Sequence, residues 1–133
     1  MTHLIDTNIA IHLRDGQRDV MAGIAALSQR PAISLMTRVE MEGGIYRDPQ
    51  FVEERRAAAD ALVRLFDIKP LDDAVVTAYG RIVATCGFSR TKIIDRLIAA
   101  TAIVNDLTLI TVNATDFRDI PGLRLESWPA PVQ

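Results

Sequence analysis

The chain has 133 residues, 15 of them basic and 17 acidic, with a formal net charge of -2. That length fits one domain with a real core and excludes two ordinary domains, and the charge balance excludes a global basic field that would draw the protein onto nucleic acid without local contacts. All but two of the basic residues are arginine, suited to bidentate phosphate contacts and to surface ion pairs alike. The single cysteine, Cys86, excludes an internal disulfide and a cysteine-based zinc site. With no signal-peptide pattern and no apolar run long enough for a bilayer, a cytoplasmic protein is expected.

In chain order, Leu4-Ile5-Asp6-Thr7-Asn8 is a short apolar run that ends in an acid and a cap-type cluster, which predicts a buried strand feeding a helix. Thr7 and Asn8 can both satisfy free N–H groups there, and Asp15-Gly16 stops the helix near Arg14. A second helix carries Val20, Ile24 and Leu27 up to Gln29, and Arg30-Pro31 ends it. Residues 32–36 form the second predicted strand, after which Thr37 opens a helix bearing Glu40 and Glu42. Asp48-Pro49 begins another helix, acidic early, with Val52, Ala59, Leu62 and Phe66 along one side.

Residues 66–70 read as a short third strand that Pro70 confines to an edge or an early stop. Asp72 or Asp73 caps the next helix, whose Val75, Val76, Tyr79, Ile82, Val83 and Cys86 make a core-facing stripe before Gly87. A basic connector, Phe88-Ser89-Arg90-Thr91-Lys92, leads into residues 93–104, apolar nearly all round and therefore a buried helix, yet with Asp95 at its front. Residues 108–112 make the fourth strand, with Asn113 to Asp116 turning off its end. Residues 123–126 alternate as the last strand, and a tail occupies 129–133 after a domain over 1–128.

Alternating strands and helices imply a parallel sheet with right-handed crossovers and helices on both faces. Ligands of such sheets collect outside the carboxyl ends of the strands, and there the pattern brings Asp6, Glu40, Asp95 and Asp116. Each acid also has a purely structural role open to it. Asp6 can accept a helix-start hydrogen bond; Thr37-Arg38-Val39-Glu40 has capping-box spacing; Asn113 to Asp116 is cap-like; Asp95 can complement a helix dipole.

Four carboxylates at one edge repel, at about 1 to 4 kcal/mol per pair at about 4 Å, and a divalent cation removes that penalty. Neither His3 nor His12 has a partner at metal-ligand spacing, and oxygen donors alone favour Mg²⁺ or Mn²⁺ over zinc. Glu40 and Glu42 lie about 200° apart around a helix, so one of them faces the metal, and Glu40, placed in the first turn, is preferred. No Gly-rich phosphate loop, nucleophile elbow or Cys/His pair is present. Metal-assisted hydrolysis of a phosphodiester is the chemistry these residues point to.

Leu4-Ile5-Asp6-Thr7-Asn8, residues 33–37 up to Glu40, Asp95-Arg96-Leu97-Ile98-Ala99-Ala100-Thr101-Ala102, Thr111-Val112-Asn113 to Asp116-Phe117 and the closing stretch 120–128 together resemble the PIN-domain family, more narrowly its VapC-type toxins of type II toxin-antitoxin pairs. The resemblance implies a five-stranded parallel sheet in the order 3-2-1-4-5 and an Mg²⁺- or Mn²⁺-dependent endoribonuclease that leaves a 5′-phosphate. It implies that Asp6, Glu40, Asp95 and Asp116 form the acidic quartet, supported by Thr7, Asn8, Thr111 and Asn113. It also implies homodimers, higher toxin-antitoxin assemblies and a VapB-like antitoxin whose C-terminal segment covers the groove. Glu42 and Gly43 depart from the family's usual residues and keep the choice of Glu open.

Arg90 and Lys92 are candidates for holding RNA, and Arg96 either touches phosphate or reaches solvent. The amphipathic stretches 8–29 and 52–66 can form the antitoxin groove or serve as ordinary core.

Three rival readings remain. A haloacid-dehalogenase-like phosphatase needs a second Asp where Asn8 stands. A receiver domain needs an acidic pair at the first strand and a late Lys, whereas the only lysines are Lys69 and Lys92. The non-enzyme rival is a PIN fold that binds RNA or a partner without cutting, against which the intact acidic set argues.

Overall fold

Three short apolar strands fix the centre of the molecule, and their pairing register sorts its core. The structure, a computed structural model, describes residues 2–131. In β1 (His3–Ile5), β2 (Ala32–Ser34) and β4 (Thr108–Thr111), Leu4 pairs with Ala32 and Leu109, and Ile5 with Ile33 and Ile110. Successive strand side chains point to opposite faces, so Leu4, Ala32 and Leu109 enter one core and Ile5, Ile33 and Ile110 the other. Burial on both faces is why the paired positions at the middle of these strands are apolar one after the other, without alternation.

The sheet is wholly parallel and is completed by β3 (Asp67–Lys69) beside β2 and β5 (Leu125–Ser127) beside β4, giving the order β3-β2-β1-β4-β5. The expected order is the one observed. Helices α5 (Asp73–Cys86) and α6 (Ile93–Val104) cover the first face through Val75, Ala78, Ile82, Ile98 and Ala102. The second face is covered by α1 (Thr7–Arg14), α2 (Arg18–Ala26), α3 (Leu35–Ile45) and α4 (Val52–Leu65), through Ile9, Val20, Met41, Ile45 and Leu62.

Several boundaries differ from the sequence reading, and each difference has a local cause. The third helix begins at Leu35 rather than Thr37, because the Ser34 hydroxyl accepts the Thr37 N–H and acts as the N-cap. The Thr37–Glu40 capping box therefore does not form, and Glu40 lies in the second turn rather than the first. Helix α1 is capped by Asp6, the helix-start bond that the sequence left open to it, while Thr7 and Asn8 lie within the helix. Val76, expected on the buried stripe of α5, is 52 % exposed, with Ala78 in its place. The second helix stops at Ala26, and the last two strands are Thr108–Thr111 and Leu125–Ser127 rather than 108–112 and 123–126.

Gly87, at φ +84°, ends α5 in the left-handed region that a side chain would strain. At the other end, the Trp128 ring lies against Gly23 of α2 so closely that a Cβ there would come within 2.7 Å of it. Residues 129–131 carry no helix or strand, and the rest of the expected tail, 132–133, lies outside the described residues.

Candidate active site

The carboxyl ends of β1 and β2 and the front of α6 open on one cavity of about 330 Å³. Asp6, Glu40 and Asp95 face it, together with Thr7 and Asn8. The sequence spreads these residues along most of the chain, and the crossover topology is what brings them to one edge.

Asp6 is the fixed point. It follows β1 directly, its backbone N–H bonds to the Ile110 carbonyl of β4, and its side chain is buried. One carboxylate oxygen accepts the Ile9 N–H at 3.0 Å and the other accepts the Thr111 hydroxyl at 2.5 Å. The structural role and the site role thus fall on one residue, since capping the helix orients the same carboxylate toward the cavity. Thr111 Oγ1 in turn accepts the Asn113 N–H, which sets the turn leading to Asp116.

Glu40 is held by a line of hydroxyls. The Ser34 hydroxyl donates to Thr37 at 3.2 Å, Thr37 and Thr7 are 3.1 Å apart, and Thr7 donates to Glu40 Oε1 at 2.5 Å. With Thr7 donating to the carboxylate, its oxygen is free to accept from Thr37, so every hydroxyl of the line points its proton toward Glu40 and each bond polarises the next. Ser34 and Thr37 have no place in the acidic pattern. Their i, i+3 spacing at the end of a strand is the signal that could have found them.

Glu42, the alternative to Glu40, faces away. Both of its oxygens accept from Arg56 of α4, at 2.6 and 3.0 Å, in a fork-to-carboxylate pairing. Glu40 alone of the two lines the cavity.

Asp95, in the first turn of α6, is half-buried and has no hydrogen-bond or ion-pair partner among the described residues. Burial raises its pKa to about 6, with the charges of Asp116, Glu40 and Asp6 adding to the rise and Lys92 opposing it. Burial also raises the pKa of Asp6; the bonds from Thr111 and Ile9 oppose that rise. Asp116 is exposed and stands beside the cavity rather than in it, yet its charge is the strongest neighbouring charge on Asp95. The four acids therefore form one electrostatic cluster.

An oxygen-only set with an unpartnered, half-buried carboxylate at its centre fits a hard divalent cation. Among the described residues no three acidic, His or Cys side chains stand close enough to cage an ion by themselves. Mg²⁺ is commonly held by one or two carboxylates, its remaining positions taken by water and substrate phosphate.

The basic residues expected at RNA divide. Arg90 is exposed and Lys92 lies near enough to Asp95 to lower its pKa, both in the short 3-10 turn Arg90–Lys92 that leads into α6. Arg96 does neither of the things expected of it. It is 3 % exposed, donates to the Gly87 carbonyl at 2.6 Å and lies 3.9 Å from Asp119. Adjacent residues on a helix differ by about 100° in direction, so with Asp95 facing the cavity Arg96 is turned inward, where it ties α6 to the loop before it. Arg14, Arg47 and Arg55, which the sequence did not single out, line the same cavity as the acids.

Comparison with known proteins points in one direction. The sequence profile of the PIN domain matches residues 3–123. The chain is 38 % identical over 104 residues to ribonuclease VapC8 of Mycobacterium tuberculosis, covering 74 % of this chain and 88 % of the relative. It is 27 % identical over 128 residues to the tRNA(fMet)-specific endonuclease VapC of Shigella flexneri, covering 94 % and 96 %. Among solved structures, VapBC2 of Rickettsia felis bound to a promoter DNA fragment superposes with a TM-score of 0.84 at 24 % identity, over 96 % of this chain and 99 % of that one.

Proposed function

The chain belongs to the PIN-domain family, in its VapC ribonuclease branch, and from that premise we propose that it is the endoribonuclease toxin of a toxin-antitoxin pair. The observation that carries this reading is the cavity where Asp6, Glu40 and Asp95 meet beside Asp116, with Asp95 unpartnered.

Asp6, Glu40, Asp95 and Asp116 would hold Mg²⁺ or Mn²⁺. Such an ion supplies Lewis-acid chemistry, lowering the pKa of water and offsetting the charge that builds on a phosphate under attack. The protein's own contribution is position. Thr111 and the Ile9 N–H fix the Asp6 carboxylate; the hydroxyl line from Ser34 fixes Glu40; Arg96 fixes the start of the helix that carries Asp95. Hydrogen-bond partners that orient metal-binding groups commonly carry 10- to 100-fold of affinity or activity.

An antitoxin partner belongs to the same proposal. The apolar faces of α1, α2 and α4 leave a groove of about 430 Å³ lined by Leu13, Met21, Ile24, Ala61, Leu62 and Leu65, with Met21 and Leu65 each 50 % exposed. An amphipathic segment of a VapB-like protein fits such a groove. The homodimer and the larger assembly expected from the family complete the proposal, and no helix among the described residues is long and apolar enough to cross a membrane.

The test is cleavage of total cellular RNA by the antitoxin-free protein with Mg²⁺ or Mn²⁺, with chelator, and with Asp95→Asn. Discrete metal-dependent fragments that vanish in the variant are the expected result. A folded protein that binds the ion yet cuts no RNA would instead be a binding module.

A further inference from the structure

The cavity is lined by two sets of opposite charge that do not pair with each other among the described residues. Asp6, Glu40 and Asp95 share its lining with Arg14, Arg47 and Arg55. None of the three arginines is ion-paired with those acids among the described residues; Arg14 pairs instead with Asp15, at 3.0 Å. Opposite charges that share a lining without pairing leave a place for a ligand that brings its own negative charge to the arginines and a cation to the acids.

We propose that Arg14, Arg47 and Arg55 grip the RNA phosphate next to the one being cut, and that the neighbouring nucleotide lies along Phe51. The inference rests on the nuclease reading and adds to it a path for the strand. A second depression of about 330 Å³ shares Arg14 and Arg55 with the main cavity and continues it to Phe51, Asp15, Glu54 and Ala58. Phe51, 39 % exposed, offers a face on which a base can stack whatever its identity.

Two of the three arginines are ordered before any ligand arrives. Arg55 Nη1 donates to the Gly44 carbonyl at 3.3 Å and its guanidinium lies 5.3 Å from the centre of the Phe51 ring. The Arg14 side chain is only 6 % exposed. A guanidinium fixed in advance loses little freedom on binding, and its planar fork matches a phosphate. Arg47, on the exposed turn after α3, is the adaptable member.

Binding is measured in chelator, so that no strand is cut, by fluorescence anisotropy of a short labelled single-stranded RNA over a range of salt concentrations. Arg47→Gln and Arg55→Gln are compared with wild type and with Arg64→Gln, an exposed arginine of α4 away from the cavity. Each phosphate contact removed should lower the slope of log affinity against log salt by about 0.7 and weaken binding roughly tenfold at low salt. Arg64→Gln should change neither. Arg55→Lys keeps the charge and should retain the slope; if Arg55→Gln fails to fold, Arg47→Gln, on an exposed turn, carries the test.

Unchanged affinity and slope in Arg47→Gln and Arg55→Gln overturn the proposal. So does retained RNA binding with release of the co-purifying antitoxin, which assigns the arginines to a protein partner. A wild-type protein that neither binds nor cuts RNA fails the nuclease reading itself, and the inference falls with it.

Discussion

The two walls of the cavity are built by opposite means. The acidic wall starts from strand ends at the centre of the sheet. Asp6 is buried, bonded at both oxygens and anchored by its own backbone to β4, and Glu40 terminates a line of three hydroxyls. The arginine wall is carried by helix ends and a turn on the second face, with one nearly buried member, one stacked on Phe51 and one exposed. Chemistry at a phosphorus atom tolerates little displacement, and a 1 Å error can cost about 100-fold. Holding a flexible strand demands less, because phosphate contacts act through charge over a broader range of geometry. Rigid support is concentrated where misplacement is costly.

The most severe way to break the contrast is Asp6→Asn. The substitution keeps the shape and the cap but removes a charge that a cation needs, so metal-dependent cleavage should fall below detection. Burial already disfavours the Asp6 charge, so the thermal midpoint should stay level or rise. Cleavage of total RNA beside a melting curve checks both, and retained cutting would falsify the metal assignment. Thr111→Val comes next. It strips the donor from one Asp6 oxygen and the acceptor from the Asn113 N–H, which should destabilise by about 1–3 kcal/mol and reduce cleavage by roughly 10- to 100-fold. Chemical denaturation measures the first and a cleavage rate the second; a full loss of stability with an unchanged rate would show that Thr111 supports the fold alone.

Thr37→Val is milder. It interrupts the hydroxyl line two bonds from Glu40 and leaves Thr7 still donating, so a rate loss nearer 10-fold is expected. Restoration by Thr37→Ser would tie the loss to the hydroxyl. No loss at all would mean that Thr7 orients Glu40 unaided.

The acidic wall was far more legible in the sequence than the arginine wall, for a physical reason. An acid that ends an apolar run is placed by the run, since the strand fixes both its depth and its edge; Asp6 is the clearest case. Asp95 stood out as a charge at the front of an apolar helix. Arg14, Arg47 and Arg55 carry no such marker, because arginine on a helix surface is ordinary and only the packing of α1, α3 and α4 against one another brings these three together. Arg96 shows the reverse error. Charge beside an acid suggested substrate or solvent, whereas the direction of one residue on α6 turned it into the core. Ser34 was read as the middle of a strand, and its capping of α3 became visible only when the Thr37 N–H was seen bonded to it.

The smallest effect concerns Asp95, and its sign is opposite to that of an ordinary salt-bridged carboxylate. Its pKa rises from 3.8 to about 6 on folding, chiefly through burial and then through Asp116, Glu40 and Asp6. Between those two values the folded protein binds the extra proton, so this group's contribution to stability falls as pH rises and its penalty is complete above about 6. Screening at a half-exposed carboxylate limits that penalty to about 1 kcal/mol. Asp95→Asn removes it. In chelator the variant should therefore melt above wild type at about pH 7.5, and the gap should narrow at about pH 5, where the wild-type carboxyl takes up its proton. A gap independent of pH would mean that Asp95 sits in a field weaker than its acidic neighbours imply, and that the wall holds less uncompensated charge for a cation to relieve.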